Sequence, residues 1–274
     1  MIPAAFDYEV ATSVDHAIAL LGEHGDDAKL IAGGHSLLPL MKLRLATPSM
    51  LVDVDRLDDL AYVRDDGDHI GVGARTRLHE VQRSSLLQSQ VAILAHAAGQ
   101  VGDPQVRHRG TIGGSLAHAD PASDLPAVML ALGGSFVARG PDGERVIPAR
   151  DFFTGFLESA LAPTEMVTEI RVPKVPGAGW SFQKFNRRAL DWAIVGVAAV
   201  RANGNSGVGL VNMGSTPLFA AGVVEAMQSG ASSAECAERA DEGTEPQSDT
   251  NATPEYRRHL VKVLVRRALD EAGG

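Results

Sequence analysis

Ala32-Gly33-Gly34-His35-Ser36-Leu37 and Thr111-Ile112-Gly113-Gly114-Ser115-Leu116-Ala117-His118-Ala119-Asp120-Pro121 are the stretches on which the reading of this chain turns. The first follows the apolar run Lys29-Leu30-Ile31-Ala32 and precedes another from Leu37 to Leu43. That order reads as strand, glycine break, helix. Consecutive glycines let the backbone take positive φ and turn several N–H groups toward one point. A helix that starts just beyond adds the positive end of its dipole, and the Ser36 hydroxyl adds a donor. The second stretch has the same parts: a glycine pair, the hydroxyls of Thr111 and Ser115, and a helix soon after. Either alone could be a turn after a strand. Two in one chain suit a diphosphate, which has two charged groups and a bridge. Neither fits the P-loop or the Gly-x-Gly-x-x-Gly fingerprint.

Outward from these stretches the pattern is mixed α/β. A first helix is capped by Thr12 or Ser13, with Val14, Ala17, Ile18 and Leu21 on one face and Gly25 at its end. Met50 to Val54 reads as a strand, and Asp65-Asp66-Gly67-Asp68 as a hairpin turn before a strand at 69–74. The spacing of Leu87, Val91, Leu94 and Ala98 predicts one long helix over 85–98, and a further helix is expected at 124–132. A hairpin around Gly140-Pro141-Asp142-Gly143 and a strand at 166–172 follow. Pro173, Pro176, Gly177 and Gly179 mark the expected domain boundary, giving 1–176 and 177–274. Beyond it lie three strands (180–185, 193–201, 207–213), a small polar acidic stretch at 228–250 with a helix inside it, and a closing helix at 256–269 with Pro254 in its first turn.

Composition narrows the function. The 274 residues are 45% hydrophobic and 22% charged, as in an ordinary globular protein. Lys plus Arg total 25 against 34 Asp plus Glu, a net charge of −9. That balance argues against nucleic acid and anionic membrane as partners, but not against an anionic cofactor held by backbone N–H groups. One cysteine, Cys236, cannot build a disulfide, a zinc site or an iron–sulfur cluster. No apolar run is long enough to span a bilayer, and the opening residues 1–7 lack a leader pattern, so the cytoplasm is the expected location.

With Ala119-Asp120-Pro121 and Asp124 added, the two glycine stretches make the chain resemble the FAD-binding medium subunits of molybdenum hydroxylases. Carbon monoxide dehydrogenase and its relatives look most similar, and the FAD domain of xanthine dehydrogenase is more distant. The resemblance runs over essentially the whole chain, including Lys184, Arg187, Asp191-Trp192-Ala193 and Tyr256-Arg257-Arg258-His259-Leu260. It implies an α+β fold: an FAD-binding domain of the vanillyl-alcohol-oxidase type with two α/β subdomains, then a smaller C-terminal domain with a three-stranded sheet and helices. It implies that Ala32, Gly33, Gly34, His35, Ser36 and Leu37, with Thr111, Ile112, Gly113, Gly114 and Ser115, hold the FAD pyrophosphate. Asp124 then bonds the cofactor's sugar-like portion, the Leu161 backbone meets the flavin ring, and Lys184 and Trp192 lie near the isoalloxazine. Ser115 departs from the Asn of many members and Trp192 from the common Tyr.

The resemblance further implies electron transfer and no catalytic residue in this chain. Molybdopterin cytosine dinucleotide would sit in a large partner subunit and two [2Fe–2S] clusters in a small one, as a dimer of heterotrimers. Carbon monoxide leads as the substrate of the complex, with an aldehyde or an N-heterocycle next. A stand-alone flavin oxidoreductase of the same fold and a non-enzymatic nucleotide-binding module are the rival readings. Remaining features read as structural. His108, His118 and Asp120 are an incomplete metal set. Asn251-Ala252-Thr253 is a sequon by pattern only, Cys236 an idle thiol in a polar loop, and Arg257, Arg258, Arg266 and Arg267 a solvated or subunit-contacting face.

Overall fold

Among the described residues, three sheets of three or more strands are laid down in chain order, with a two-stranded hairpin beside them. The structure, a computed structural model, describes residues 2–202 and 206–273. Met1, part of the opening stretch read for a leader, lies outside the described residues. The first sheet is parallel, with order β1-β3-β2, from β1 (Asp7–Val10), β2 (Ala28–Ile31) and β3 (Met50–Asp53). Helix α1 (Val14–His24) covers it. Ser13 caps α1 by accepting from the His16 N–H, and Val14, Ala17, Ile18 and Leu21 are buried as their spacing predicts. The run at 29–32 reads as a buried strand, yet β2 is only half-buried, because it is an edge and β3 takes the centre. Helix α2 (Leu37–Lys42) follows the first glycine pair.

The second sheet has order β4-β5-β10-β6-β7 and is antiparallel. Its strands are β4 (Val63–Asp65), β5 (His69–Gly73), β6 (Ser135–Gly140), β7 (Gly143–Pro148) and, after the small hairpin β8 (Phe153–Gly155) and β9 (Glu158–Ser159), β10 (Met166–Pro173). Both expected hairpins form. Packed between β5 and β6 in sequence are α3 (Leu78–Arg83), α4 (Ser85–Gln90), α5 (Ala92–Gly99), α6 (Pro104–Arg109), α7 (Ile112–Ala117) and α8 (Asp124–Leu132), with α9 (Ala149–Phe152) after β7.

The expected single helix at 85–98 is two. Val91 leaves the helical region (φ −147°, ψ 56°), and the Gln90 carbonyl accepts from Val175. Leu87, Val91, Leu94 and Ala98 still share one core, so the periodicity marks the buried face but not the break. Helix α3 gave no signal of its own. Helix α6 starts on Asp103, which accepts from the Val106 N–H, with Pro104 at its first position.

The third sheet, β11 (Gly179–Phe185), β12 (Val195–Arg201), β13 (Gly207–Val211) and β14 (Leu218–Phe219), adds a two-residue strand to the three expected. It is buried on both faces. Ala198, Val200 and Val211 join the central core with α8, while Val197, Ala199 and Leu210 pack under α10 (Ala221–Gln228), α11 (Ser233–Glu238) and α12 (Pro254–Ala272). Helix α8 lies so close to β13 that a Cβ on Gly209 would fall 2.0 Å from the Ala127 carbonyl oxygen.

Two readings change here. Cys236 is in no polar loop: it is fully buried in α11, which Ser232 and Glu235 start with a reciprocal capping box. Arg257 is in no solvated face: it is 2% exposed, donating to the Ile194 carbonyl and to Asp249. Among the described residues no helix is long and apolar enough to cross a membrane.

Candidate functional site

The first glycine stretch leaves the carboxyl end of β2, beside that of β3, where parallel strands present ligand sites. Gly34 takes φ +76°, the left-handed region that favours glycine. Gly33 has no room for a side chain: a Cβ there would lie 2.2 Å from the Arg109 carbonyl oxygen. The loop therefore presses on the residues just before the second glycine stretch. Among the described residues, the N–H groups of Gly33, Gly34, His35 and Ser36 have no protein acceptor. The Ser36 hydroxyl makes no capping bond either. These donors form an open cradle of the kind that can take an anion.

The second stretch is built differently. The glycine pair precedes α8, as expected, but is itself the first turn of α7, a helix the sequence did not announce, with Thr111 as cap. Three of its N–H groups are consumed. Ile112 donates to the Thr76 carbonyl at 3.0 Å, Gly113 to the Ala74 carbonyl at 2.8 Å, and Gly114 to Thr111 Oγ1 at 3.1 Å. A Cβ on Gly113 would lie 2.6 Å from that of Ala74, so this glycine permits close packing. What faces outward is the exposed Gly114 and the hydroxyl of Ser115, which has no partner among the described residues.

Arg77 fastens the two stretches. Its guanidinium donates to the Arg109 carbonyl and to Asp55, which follows β3, and its backbone bridges Thr111. Asp55 also draws Arg109 to 3.7 Å and Arg75 to 4.0 Å. Sequence reasoning missed this cluster. Its members lie in separate segments, and only the fold assembles them.

Asp124 and Lys184 meet directly. Asp124 opens α8, and Lys184 reaches it from β11, its ammonium donating to Asp124 Oδ2 at 2.7 Å and to the Gln100 carbonyl at 3.0 Å. The Lys184 and Asp124 side chains are 8% and 5% exposed. Burial pushes the Asp124 carboxyl up to about 6, against the pull of Lys184. Among the described residues, Oδ1 of Asp124 is buried with no partner. A hydroxyl donor from a bound molecule would satisfy it. Lys184 is thus neither a surface lysine nor a free cation. Leu161 lies just beyond β9, half-buried against the central core, and Trp192 is 59% exposed in the β11–β12 connection.

The histidines do not gather. His108 stacks on His79 at 4.2 Å, and burial lowers the pKa of His118. Among the described residues no three His, Cys, Asp or Glu side chains stand together as metal ligands.

Comparison with known proteins matches residues 4–175 to the FAD binding domain in molybdopterin dehydrogenase, and residues 180–272 to the CO dehydrogenase flavoprotein C-terminal domain. The carbon monoxide dehydrogenase medium chain of Hydrogenophaga pseudoflava is 40% identical, over 99% of this chain and 98% of that one. Subunit alpha of the 6-hydroxypseudooxynicotine dehydrogenase complex of Paenarthrobacter nicotinovorans is 38% identical, over 99% of this chain and 96% of that one. The solved structure of the Hydrogenophaga pseudoflava carbon monoxide dehydrogenase lacking the Mo-pyranopterin moiety superposes with a TM-score of 0.94 at 39% identity, covering 100% of this chain and 99% of that one.

Proposed function

The chain belongs to the FAD-binding medium subunits of the molybdenum hydroxylases, and on that premise we propose that it carries electrons between a partner's iron–sulfur centres and an external acceptor. As a family member it is an oxidoreductase subunit with an FAD-binding domain. The observation that carries the site reading is the set of four open N–H groups at 33–36, packed at Gly33 against Arg109 and Gly110 just before the second glycine stretch.

The residues fit the cofactor: among the described residues, the cradle offers donors without acceptors, and Asp124 Oδ1 is an acceptor without a donor. FAD bound here would supply reversible electron carriage. The backbone of Ala32, Gly33, Gly34, His35, Ser36 and Leu37 would hold the pyrophosphate. Thr111, Ile112, Gly113, Gly114 and Ser115 form the opposing wall, with Ser115 donating its hydroxyl. Asp124 Oδ1 would accept a hydrogen bond from a sugar hydroxyl. Lys184 holds that carboxylate in place, and Trp192 and the Leu161 backbone would border the ring. The β10–β11 connection separates an FAD-binding part, 1–176, from a C-terminal part, 177–274.

The partners in this reading are a small iron–sulfur subunit and a large molybdenum subunit, assembled as a dimer of heterotrimers in the cytoplasm. Carbon monoxide is the proposed substrate of the complex, supported by the 40% identical relative; an aldehyde or an N-heterocycle is the alternative. The test is to assay the FAD-loaded chain with an artificial dye against carbon monoxide, aldehydes and N-heterocycles, alone and with both partner subunits added. Turnover should appear only in the full mixture, and which substrate turns over decides the class. Turnover by the chain alone would overturn the subunit reading.

A further inference from the structure

The connection that carries Trp192 is pinned by a residue outside every motif read above. Residues 186–194 join β11 to β12, and the Ile194 N–H closes their ends by donating to the Phe185 carbonyl at 2.7 Å. Ala193 and Ile194 are 2% and 6% exposed, so their carbonyls need partners inside the protein. Asn212 supplies them. Its Nδ2 donates to the Ala193 carbonyl at 2.9 Å and reaches the Ile194 carbonyl at 3.4 Å, where Arg257 also donates.

Asn212 stands just past β13 at φ +62°, a left-handed conformation that few side chains adopt and Asn tolerates. That backbone turn aims its N–H at the Pro121 carbonyl, 2.8 Å away and three residues before Asp124. One residue thus ties three carbonyls in two separate segments: the connection bearing Trp192 and the turn leading into Asp124.

Resting on the flavin-site reading above, we propose that Asn212 is a positioning residue of that site, fixing Trp192 relative to the Asp124–Lys184 pair. Its amide holds the connection beside Trp192 while its N–H holds the turn before Asp124, so one backbone conformation sets both segments. The strained backbone is what lets one amide group and one N–H serve both segments.

The experiment is a double-mutant cycle on the full chain, read by FAD titration into apoprotein with flavin fluorescence. Asn212→Gly keeps the left-handed backbone and the N–H to Pro121 but removes the amide. It should weaken FAD binding about tenfold, the size of one or two lost hydrogen bonds. Trp192→Ala should weaken it as well. In the Trp192→Ala background, Asn212→Gly should add less than about a twofold loss, because its action runs through the missing ring. Fully additive losses would overturn the proposal and leave Asn212 a structural residue. Wild-type FAD affinity in Trp192→Ala would remove Trp192 from the site and this proposal with it, while the glycine cradle would stand. Failure of the wild-type apoprotein to bind FAD would overturn the flavin reading itself. If Asn212→Gly does not fold, the same cycle is run with Asn212→Asp, whose carboxylate cannot donate to the two carbonyls.

Discussion

At Gly33-Gly34 the backbone is held open, and at Gly113-Gly114 it is closed. The first pair lies in a loop past two parallel strand ends, and the N–H groups from Gly33 to Ser36 meet no protein acceptor among the described residues. The second pair sits inside the first turn of α7, where the Ala74 carbonyl and the Thr111 hydroxyl take its donors. Each pair contains one glycine that lets two backbones touch: Gly33 against Arg109, and Gly113 against Ala74. A glycine pair in a sequence therefore announces a close approach. It does not say whether a ligand or another part of the chain makes that approach.

The largest expected effect separates the two pairs. Gly113→Val should cost the apoprotein about 5 kcal/mol, because its Cβ meets buried backbone that cannot yield. Gly34→Val meets mainly the mobile end of Leu38 and a left-handed backbone cost of about 1–2 kcal/mol, so the apoprotein should stay folded. FAD affinity should nevertheless fall more than about a hundredfold, since the branched side chain crowds the open donors. Chemical denaturation of both apoproteins and FAD titration check this. Equal losses of stability in the two variants would erase the contrast.

How much of this was legible follows from range. Capping and periodicity are local, so Ser13, the hairpins and the closing helix could be read directly. The break at Val91 carries no proline or glycine, and its cause, the Val175 N–H on the Gln90 carbonyl, comes from 85 residues away. The glycine stretches were legible as motifs. Which of their N–H groups remain free was not, because the acceptors Ala74 and Thr76 lie on another segment. For the same reason Arg77 and Asp55 were invisible. Lys184 and Asp124 appeared separately as family positions, and only the fold makes them one buried pair.

That pair supplies the second test, which asks whether the site is braced from the C-terminal side. Lys184→Met leaves Asp124 buried without its cation. Breaking a buried pair from one side costs about 3–5 kcal/mol when the remaining charge must stay ionised. Asp124 titrates near 6 in the folded state, above its ordinary 3.8, so the carboxyl is largely neutral at pH 5 and ionised at pH 8. The sign follows: from 3.8 to about 6 the folded state binds the extra proton, so burial of Asp124 becomes less favourable as pH rises through that window. Removing Lys184 pushes the carboxyl higher still. The loss of stability in Lys184→Met should therefore be larger at pH 8 than at pH 5, measured by denaturation of apoprotein. Asp124→Asn combined with Lys184→Met should abolish the pH dependence of the difference. A loss independent of pH would mean that the ammonium matters for packing alone.

The smallest effect asks what the closed pair still contributes to the cofactor. Among the described residues, Ser115 carries the hydroxyl that remains without a partner on the second stretch, and Ser36 carries its counterpart on the first, since it makes no capping bond. Neither hydroxyl supports the protein itself, so Ser115→Ala and Ser36→Ala should leave the apoprotein's thermal midpoint within about 1 °C, as surface substitutions do. If each donates once to the pyrophosphate, each variant should lose the net value of one hydrogen bond, about 0.5–1.5 kcal/mol, or roughly a two- to tenfold weaker FAD affinity. The double variant should lose about the product, because the two hydroxyls sit on separate segments and share no partner. Ser115→Asn is the sharper probe. Its longer amide can donate where the hydroxyl does, so affinity should be retained or improved while Ser115→Ala loses it. If Ser115→Ala binds FAD as the wild type does and Ser36→Ala does not, the second glycine stretch serves the fold alone, and the cofactor's phosphates rest entirely on residues 32–37.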